Sequence, residues 1–370
     1  MRKFYSIMAM AAIAALCLTS CDDDDDAPKY YAVETTEGVF VTNGGNMSGK
    51  IDGSLTYYDY ANGKASHNVY QAANGASLGG TVNDAVVYGS KIYIIGSDES
   101  TVFVADKKTL KKVANVAIKV KGEAATPRHA AAYDGKVYVT TFSNAVLAID
   151  TLTNTIAETY ECGSYSEGIA VSDGKLYVAD SDYGKGNASI SMIDLKTKTT
   201  TTFKHENIKN AVGIAVVNGR LFVQDSGSYD ANYNQSGQGV YEIANGNVTK
   251  LADATEMAVD ASHGKIYTIN APYTYPATPV SYGVIDTATG TVSKFCDGTE
   301  IEYPGKISVD PVKGNVFITS YVMGTGGYAD YKAPGYCTIY KLDGTYQGKF
   351  DCNVGAGYVI PNTETKYLYK

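Results

Sequence analysis

Gly135-Lys136-Val137-Tyr138-Val139 is the stretch that decides the fold. A turn glycine and a basic residue precede a triplet of β-branched and aromatic side chains, the composition of a strand that has just left a tight turn. The pattern recurs as Ser90-Lys91-Ile92-Tyr93-Ile94, Gly174-Lys175-Leu176-Tyr177-Val178 and Gly219-Arg220-Leu221-Phe222-Val223. It returns in Gly264-Lys265-Ile266-Tyr267 and Gly314-Asn315-Val316-Phe317-Ile318, and Gly38-Val39-Phe40-Val41 is its first copy. From Phe40 to Phe317 there are six intervals averaging about 46 residues.

Each copy has neighbours of its own. A short apolar run such as Gly168-Ile169-Ala170-Val171 comes before it. A second strand ending in aspartate follows, as in Val146-Leu147-Ala148-Ile149-Asp150 or Gly283-Val284-Ile285-Asp286, then a polar turn and a Thr-rich fourth strand. Four short strands at this period predict an all-β chain folded as a seven-bladed β-propeller. A β-solenoid or a pair of sandwiches fits the four-strand unit less well. Gly357-Tyr358-Val359-Ile360 has no repeat of its own and is expected to complete the first blade, hiding its edge. No internal linker interrupts the repeats, so residues 36–370 read as one domain.

The connections are unequal. Turns between the first two strands (Tyr133-Asp134-Gly135, Ser172-Asp173-Gly174, Asn218-Gly219) and between the last two (Thr287-Ala288-Thr289-Gly290) are short. The alternate connections belong to the opposite face, and several are long and tyrosine-rich. They hold Tyr183 beside Asp180 and Asp182, then Tyr229, Asn232, Tyr233, Asn234 and Gln235. Farther on come Tyr273 and Tyr275, then Tyr321, Tyr328 and Tyr331. Tyr, Asn and Gly on loops above a rigid scaffold are the vocabulary of a binding surface. The 32 tyrosines therefore divide into strand residues explained by packing (Tyr93, Tyr138, Tyr177, Tyr267) and loop residues gathered on one face.

Ahead of the repeats, Arg2 and Lys3 precede an apolar run from Ile7 to Leu18, too short to span a bilayer and typical of a secretory leader over residues 1–20. It ends in Leu18-Thr19-Ser20-Cys21, which resembles a lipobox, so Cys21 is expected to be acylated and to anchor the protein to the outer membrane at the cell surface. Residues 21–35 read as a tether containing five consecutive acids, Asp22 to Asp26. A formal charge of −8 with no basic stretch argues against nucleic acid. Cys162, Cys296, Cys337 and Cys352 lie far apart without metal-ligand spacing and are expected to be structural thiols or to form one bridge. Asp180 and Asp182 offer carboxylates of the kind calcium takes.

Aligned repeats place Asn83, Arg128, Glu167, Val212, Thr255 and Gly305 at the mouth of a central channel, with Asp84, His129, Gly168, Gly213, Glu256 and Lys306 one step inward. Mixed donors and acceptors suit a polar, nearly neutral ligand. Arg128 and Glu167 are also placed to pair with each other. Among four histidines only His129 and His205 belong to the loop face, and Asp84 is positioned to pair with His129, a combination capable of general-base work. There is no nucleophile motif, metal-spaced histidine cluster or phosphate loop.

The chain resembles the YncE-like seven-bladed propellers of surface lipoproteins, a group that includes the BtuG-type vitamin B12 capture proteins. The resemblance rests on Val41-Thr42-Asn43-Gly44-Gly45-Asn46, Gly53-Ser54-Leu55-Thr56-Tyr57-Tyr58-Asp59, Asn83-Asp84, Thr126-Pro127-Arg128 and Glu167-Gly168-Ile169-Ala170-Val171. Such proteins often carry Asn-Glu-Gly-Asn where this chain has Asn43-Gly44-Gly45-Asn46. The resemblance implies a non-enzymatic protein without a resident cofactor. It would capture cobalamin or another corrinoid and hand it to a TonB-dependent outer-membrane transporter. A corrinoid, broad, flat and rimmed with amides, calls for aromatic planes and mixed hydrogen bonds. On this reading the contacts are Asn83, Arg128, His129, Glu167, Tyr183, Tyr229, Tyr233, Asn234, Tyr273, Tyr275, Tyr303 and Tyr321. The alternatives are a propeller lyase or hydrolase using His129 and Asp84, and a glycan- or protein-docking module of another uptake system.

Overall fold

A computed structural model describes the chain from Tyr30 to Tyr369. The leader, Cys21 and the acidic run lie outside the described residues. Within them the protein is all-β: seven four-stranded antiparallel sheets follow one another along the chain, with two small two-stranded ribbons in the loops and one six-residue helix, Val69–Asn74. No described helix is long and apolar enough to cross a membrane.

Six sheets are built from consecutive strands. Their first strands are Val82–Tyr88, Pro127–Tyr133, Ser166–Ser172, Ala211–Val217, Glu256–Asp260 and Tyr303–Asp310. The sheet containing Tyr30–Asn43 borrows its first strand from the other end of the chain, Ala356–Tyr369, in the register Phe40 to Ile360 and Val41 to Val359. The pairing continues to Tyr30 opposite Tyr369. Except between the fifth and sixth sheets, first strands of successive sheets pack side by side, and Ala356–Tyr369 lies between Tyr303–Asp310 and Val82–Tyr88. Where the fifth and sixth sheets meet, the Gln224 amide donates to the Thr255 carbonyl.

The sequence pattern follows from this layering. Second strands such as Lys136–Thr141 are buried on both faces, because each sheet is covered by a neighbour on either side, and they read as unbroken apolar runs. Val102, Val104, Tyr93 and Ile95 of the second sheet interleave with Val137, Val139, Leu147 and Ile149 of the third. Each such side chain contributes roughly 1.5–3 kcal/mol on burial. Fourth strands such as Thr199–Phe203 are largely exposed edges, which explains their polar composition. Tyr93, Tyr138 and Tyr267 are buried in strands, as packing requires.

The aspartates that end the third strands cap the next turn. Asp150 Oδ1 accepts from the amides of Leu152 (2.9 Å) and Thr153 (2.8 Å), and Asp106, Asp194 and Asp286 do the same in their sheets. Asp134-Gly135, Asp173-Gly174 and Asn218-Gly219 all have positive φ, the two-residue hairpin turn whose twist matches the strands. All four described cysteines are free thiols, three of them buried.

Candidate functional site

Antiparallel pairing sets the start of each first strand beside the end of the second: Ala211 opposite Asp225, Tyr303 opposite Tyr321. The long connections therefore emerge together where the first strands begin. Five first strands also carry a register shift at that point, between Val82 and Asp84, Pro127 and Ala130, Ser166 and Ile169, Ala211 and Gly213, and Pro304 and Ile307. A regular strand sends consecutive side chains to opposite faces; a bulge re-aims one of them. This is why Arg128 and His129, adjacent in sequence, line the same cavity.

That cavity is about 340 Å³, opens on the loop face and is lined by Asp84, Arg128, His129, Glu167, Glu256, Lys306 and Tyr358 among others. A second lobe shares Arg128, His129, Glu256, Lys306 and Tyr358 and adds Asn83, Tyr303, Tyr321 and Tyr331. Gly168 and Gly213 hold the fourth and fifth first strands close: a Cβ on Gly168 would lie 2.9 Å from Gly213 Cα.

The charges are arranged in pairs. Arg128 Nε donates to Glu167 Oε2 at 2.9 Å, and its guanidinium lies over the Phe142 ring at 4.6 Å. His129 Nδ1 is 3.2 Å from Asp84 Oδ2, and its Nε2 is 3.8 Å from Glu167 Oε2. Lys306 Nζ donates to Glu256 Oε1 at 2.6 Å and stands 5.2 Å over the Tyr358 ring. Burial works against the Lys306 ammonium, but the charge and hydrogen bond of Glu256, together with Tyr358, outweigh it and lift its pKa above the usual lysine value. Burial pushes the Tyr358 hydroxyl up to about 12, so it lines the cavity as a neutral phenol. Three carboxylates thus face two permanent cations and one imidazole. Each charge already has a partner, and a ligand gains most here by exchanging hydrogen bonds.

Of the loop tyrosines, Tyr303, Tyr321 and Tyr331 line the second lobe, whereas Tyr183, Tyr229, Tyr233, Tyr273 and Tyr275 stand on the connections outside the cavity lining. Tyr275 is 89% exposed, Tyr233 72% and Tyr183 67%, with Tyr229 and Tyr273 also exposed and Tyr303 at the threshold. Two connections are stitched together: Gln235 N donates to the Tyr273 carbonyl at 2.7 Å, Tyr273 N returns to Gln235 Oε1, and Tyr275 N donates to Asn234 Oδ1 at 2.7 Å. Asn234 Nδ2 is bound to Asp230, so both ends of that amide are spent on holding loops and the residue shapes the surface from within. Asn83 is similarly engaged, donating to the Arg128 carbonyl. Asp180 faces its own sheet, accepting from Ser166 and Ser191 at 2.6 Å each. Among the described residues no three His, Cys, Asp or Glu side chains converge to hold a metal ion. His205 stacks on Phe203, and His263 is held by Asp260 in a turn of the opposite face.

A family described as "Domain of unknown function (DUF5074)" matches residues 37–127, the first two sheets and the segment carrying Asn83 and Asp84. No curated protein matches the chain in sequence. The structure is similar to a functionally unknown protein from Desulfotomaculum acetoxidans (TM-score 0.59, 13% identity, 88% of this chain and 98% of that one). It is also similar to hydrazine synthase of Kuenenia stuttgartiensis (TM-score 0.54, 18% identity, 71% of this chain and 77% of that one). At these identities the likeness bears on the fold alone, an all-β, propeller-like repeat.

Tyr358, Phe142 and Tyr165 escape sequence reasoning, and Tyr331 enters it as a loop tyrosine without being counted among the contacts. Tyr358 completes the inner row of Asp84, His129, Gly168, Gly213, Glu256 and Lys306, and aligning the closing strand with the other first strands would find it. Phe142, Tyr165 and Tyr331 come from irregular connections and leave no periodic signal. Tyr165 lies 5.2 Å from Phe142 and 5.0 Å from Tyr183, and Tyr331 lies 4.9 Å from Tyr321.

Proposed function

We propose that the seven sheets are the blades of one closed β-propeller whose loop-bearing face captures a corrinoid, and that the protein, anchored through Cys21 at the outer-membrane surface, passes it to a TonB-dependent transporter. The observation that carries this reading is a charge-paired polar cavity whose second lobe is lined by Tyr303, Tyr321 and Tyr331, with further exposed tyrosines on the neighbouring connections. The cavity has the size of a small-ligand site and is too small for a whole macrocycle. A corrinoid would therefore lie across the mouth, its flat faces on tyrosine rings and its amide arms exchanging hydrogen bonds with Arg128, Glu167 and Glu256. Rings contribute contact area at low entropy cost, and paired charges do not demand a counter-charge from a nearly neutral ligand.

The His129–Asp84 contact supports the second reading, a lyase or hydrolase. Against it, carboxylates face both nitrogens of the ring, Asp84 at Nδ1 and Glu167 at Nε2. A general base needs one nitrogen directed at substrate. Gel filtration of the protein mixed with cyanocobalamin tests the first reading: the red chromophore is expected to co-elute, and its absence from the protein peak rejects that ligand. Turnover of a substrate that His129→Ala abolishes would establish the second.

A further inference from the structure

We propose that the loop face holds its ligand at two separate aromatic platforms on opposite sides of the ring, Phe142/Tyr165/Tyr183 and Tyr303/Tyr321/Tyr331. The ligand is then a long, uncharged molecule with flat faces and polar edges that bridges the cavity. This deepens the capture reading and rests on the loop face being a ligand site.

The first platform lies between the third and fourth sheets. Its rings are mutually in contact at 5.2, 5.0 and 6.3 Å between centroids. The second belongs to the seventh sheet, with centroid separations of 6.4, 6.4 and 4.9 Å. In a cyclic order of seven, the gap between the third and fourth members stands opposite the seventh. Each platform is tied to the cavity: Arg128 caps Phe142 on one side, and Tyr303, Tyr321 and Tyr331 line the second lobe on the other.

Backbone conformation makes the argument sharper. Tyr165 (φ 52°) and Tyr183 (φ 54°) both sit in the left-handed region. A bulky side chain there is disfavoured, and asparagine or glycine would adopt it at lower cost. Tyr183 is also mostly exposed, so burial returns little for the strain. Strain retained at an exposed ring points to a use for the ring itself. The paired charges between the platforms, with no unpartnered cation or carboxylate, fit an uncharged middle section.

The test uses tyrosine-fluorescence titration and equilibrium dialysis on the whole domain with two probes, cyanocobalamin and cellohexaose. Three variants are compared: Tyr183→Asn, Tyr303→Ala with Tyr331→Ala, and all three changes together. Each platform variant is expected to weaken binding of the same probe about tenfold, a stacking contact's usual effect. The thermal midpoint of Tyr183→Asn is expected to stay level or rise by roughly 1–3 °C, since the strain is relieved. A purely structural Tyr183 would instead lower the midpoint and leave affinity unchanged, which overturns the proposal. If cyanocobalamin binds but only one platform matters, the bridging inference fails while corrinoid capture stands. If only cellohexaose binds and both platforms matter, the corrinoid reading fails and the bridge stands. Binding of neither probe overturns both.

Discussion

Replacing Arg128 by methionine isolates what the guanidinium contributes to the cavity wall. The methionine keeps an apolar stem over Phe142 and removes the charge. Three contacts disappear: the bond from Nε to Glu167 Oε2 at 2.9 Å, the long one from Nη2 to Oε1 at 3.5 Å and the cation–π contact at 4.6 Å. A hydrogen bond between charged groups is worth about 1.5–3 kcal/mol. The cation–π contact adds about 0.5–1 kcal/mol, the lower range because the Arg128 side chain is 22% exposed. Glu167, only 14% exposed, is left without its cation on the cavity wall that also holds Asp84. Arg128→Met should therefore cost about 2–4 kcal/mol in urea unfolding followed by far-ultraviolet circular dichroism. Glu167→Gln in the same background should restore part of this, because the orphaned charge is gone. The double-mutant cycle should show a coupling of roughly 1–3 kcal/mol. A single-variant cost below about 0.5 kcal/mol, or no coupling, would refute the idea that the cavity wall is held by internal charge pairs.

Gly135→Ala and Gly38→Ala separate conformation from crowding. At Gly135 (φ 74°) an added Cβ meets nothing within 4 Å, so the cost is backbone strain alone, about 1 kcal/mol. At Gly38 it would sit 2.3 Å from the Tyr58 carbonyl oxygen, and the cost should be clearly larger, with an equal or smaller loss in thermal denaturation counting against the register of the first sheet. Burial raises the Asp180 carboxyl above its ordinary 3.8 despite bonds from Ser166 and Ser191. The folded state thus holds this proton more tightly than the unfolded chain does. Its contribution is greatest below the unfolded value and is lost as pH rises towards the folded one. Urea midpoints measured upward from about pH 4 should fall less steeply for Asp180→Asn than for the wild type. Ending the chain after Gly355 removes the inner strand of the first sheet and should abolish cooperative unfolding; a sharp transition in the truncated protein would show that the fold does not depend on it.

Much of the architecture was legible because it is periodic. A turn glycine before Lys136, Lys175 or Lys265, an aspartate after Ile149 or Ile193, and a threonine-rich edge each have one local cause repeated down the chain. The lining of the cavity was legible for the same reason, since Arg128 and Glu167 occupy equivalent positions, as do Asp84, His129, Glu256 and Lys306 one step inward. The partnership of Arg128 with Glu167 and of His129 with Asp84 followed from adjacency of repeats. What stayed hidden depends on aperiodic backbone. Nothing in the residues around Tyr165 signals a left-handed conformation that turns its ring onto Phe142. Asn234 has the composition of a ligand contact, yet it bonds Tyr275 and Asp230 because two long connections lean on each other. The helix Val69–Asn74 sits in such a connection as well, with a single buried residue, Tyr70, and no repeating pattern to announce it.

Hydrogen exchange in the presence and absence of cyanocobalamin tests the central claim most directly, because it reports on which face of the sheets a ligand acts. Corrinoid capture by the loop face predicts slower exchange in segments 163–167, 182–186, 228–236, 272–278 and 321–331. The turns at Asp134-Gly135, Asp173-Gly174 and Asn218-Gly219 on the opposite face should be unaffected. No change in any of the five loop segments, or protection confined to those turns, would contradict the account.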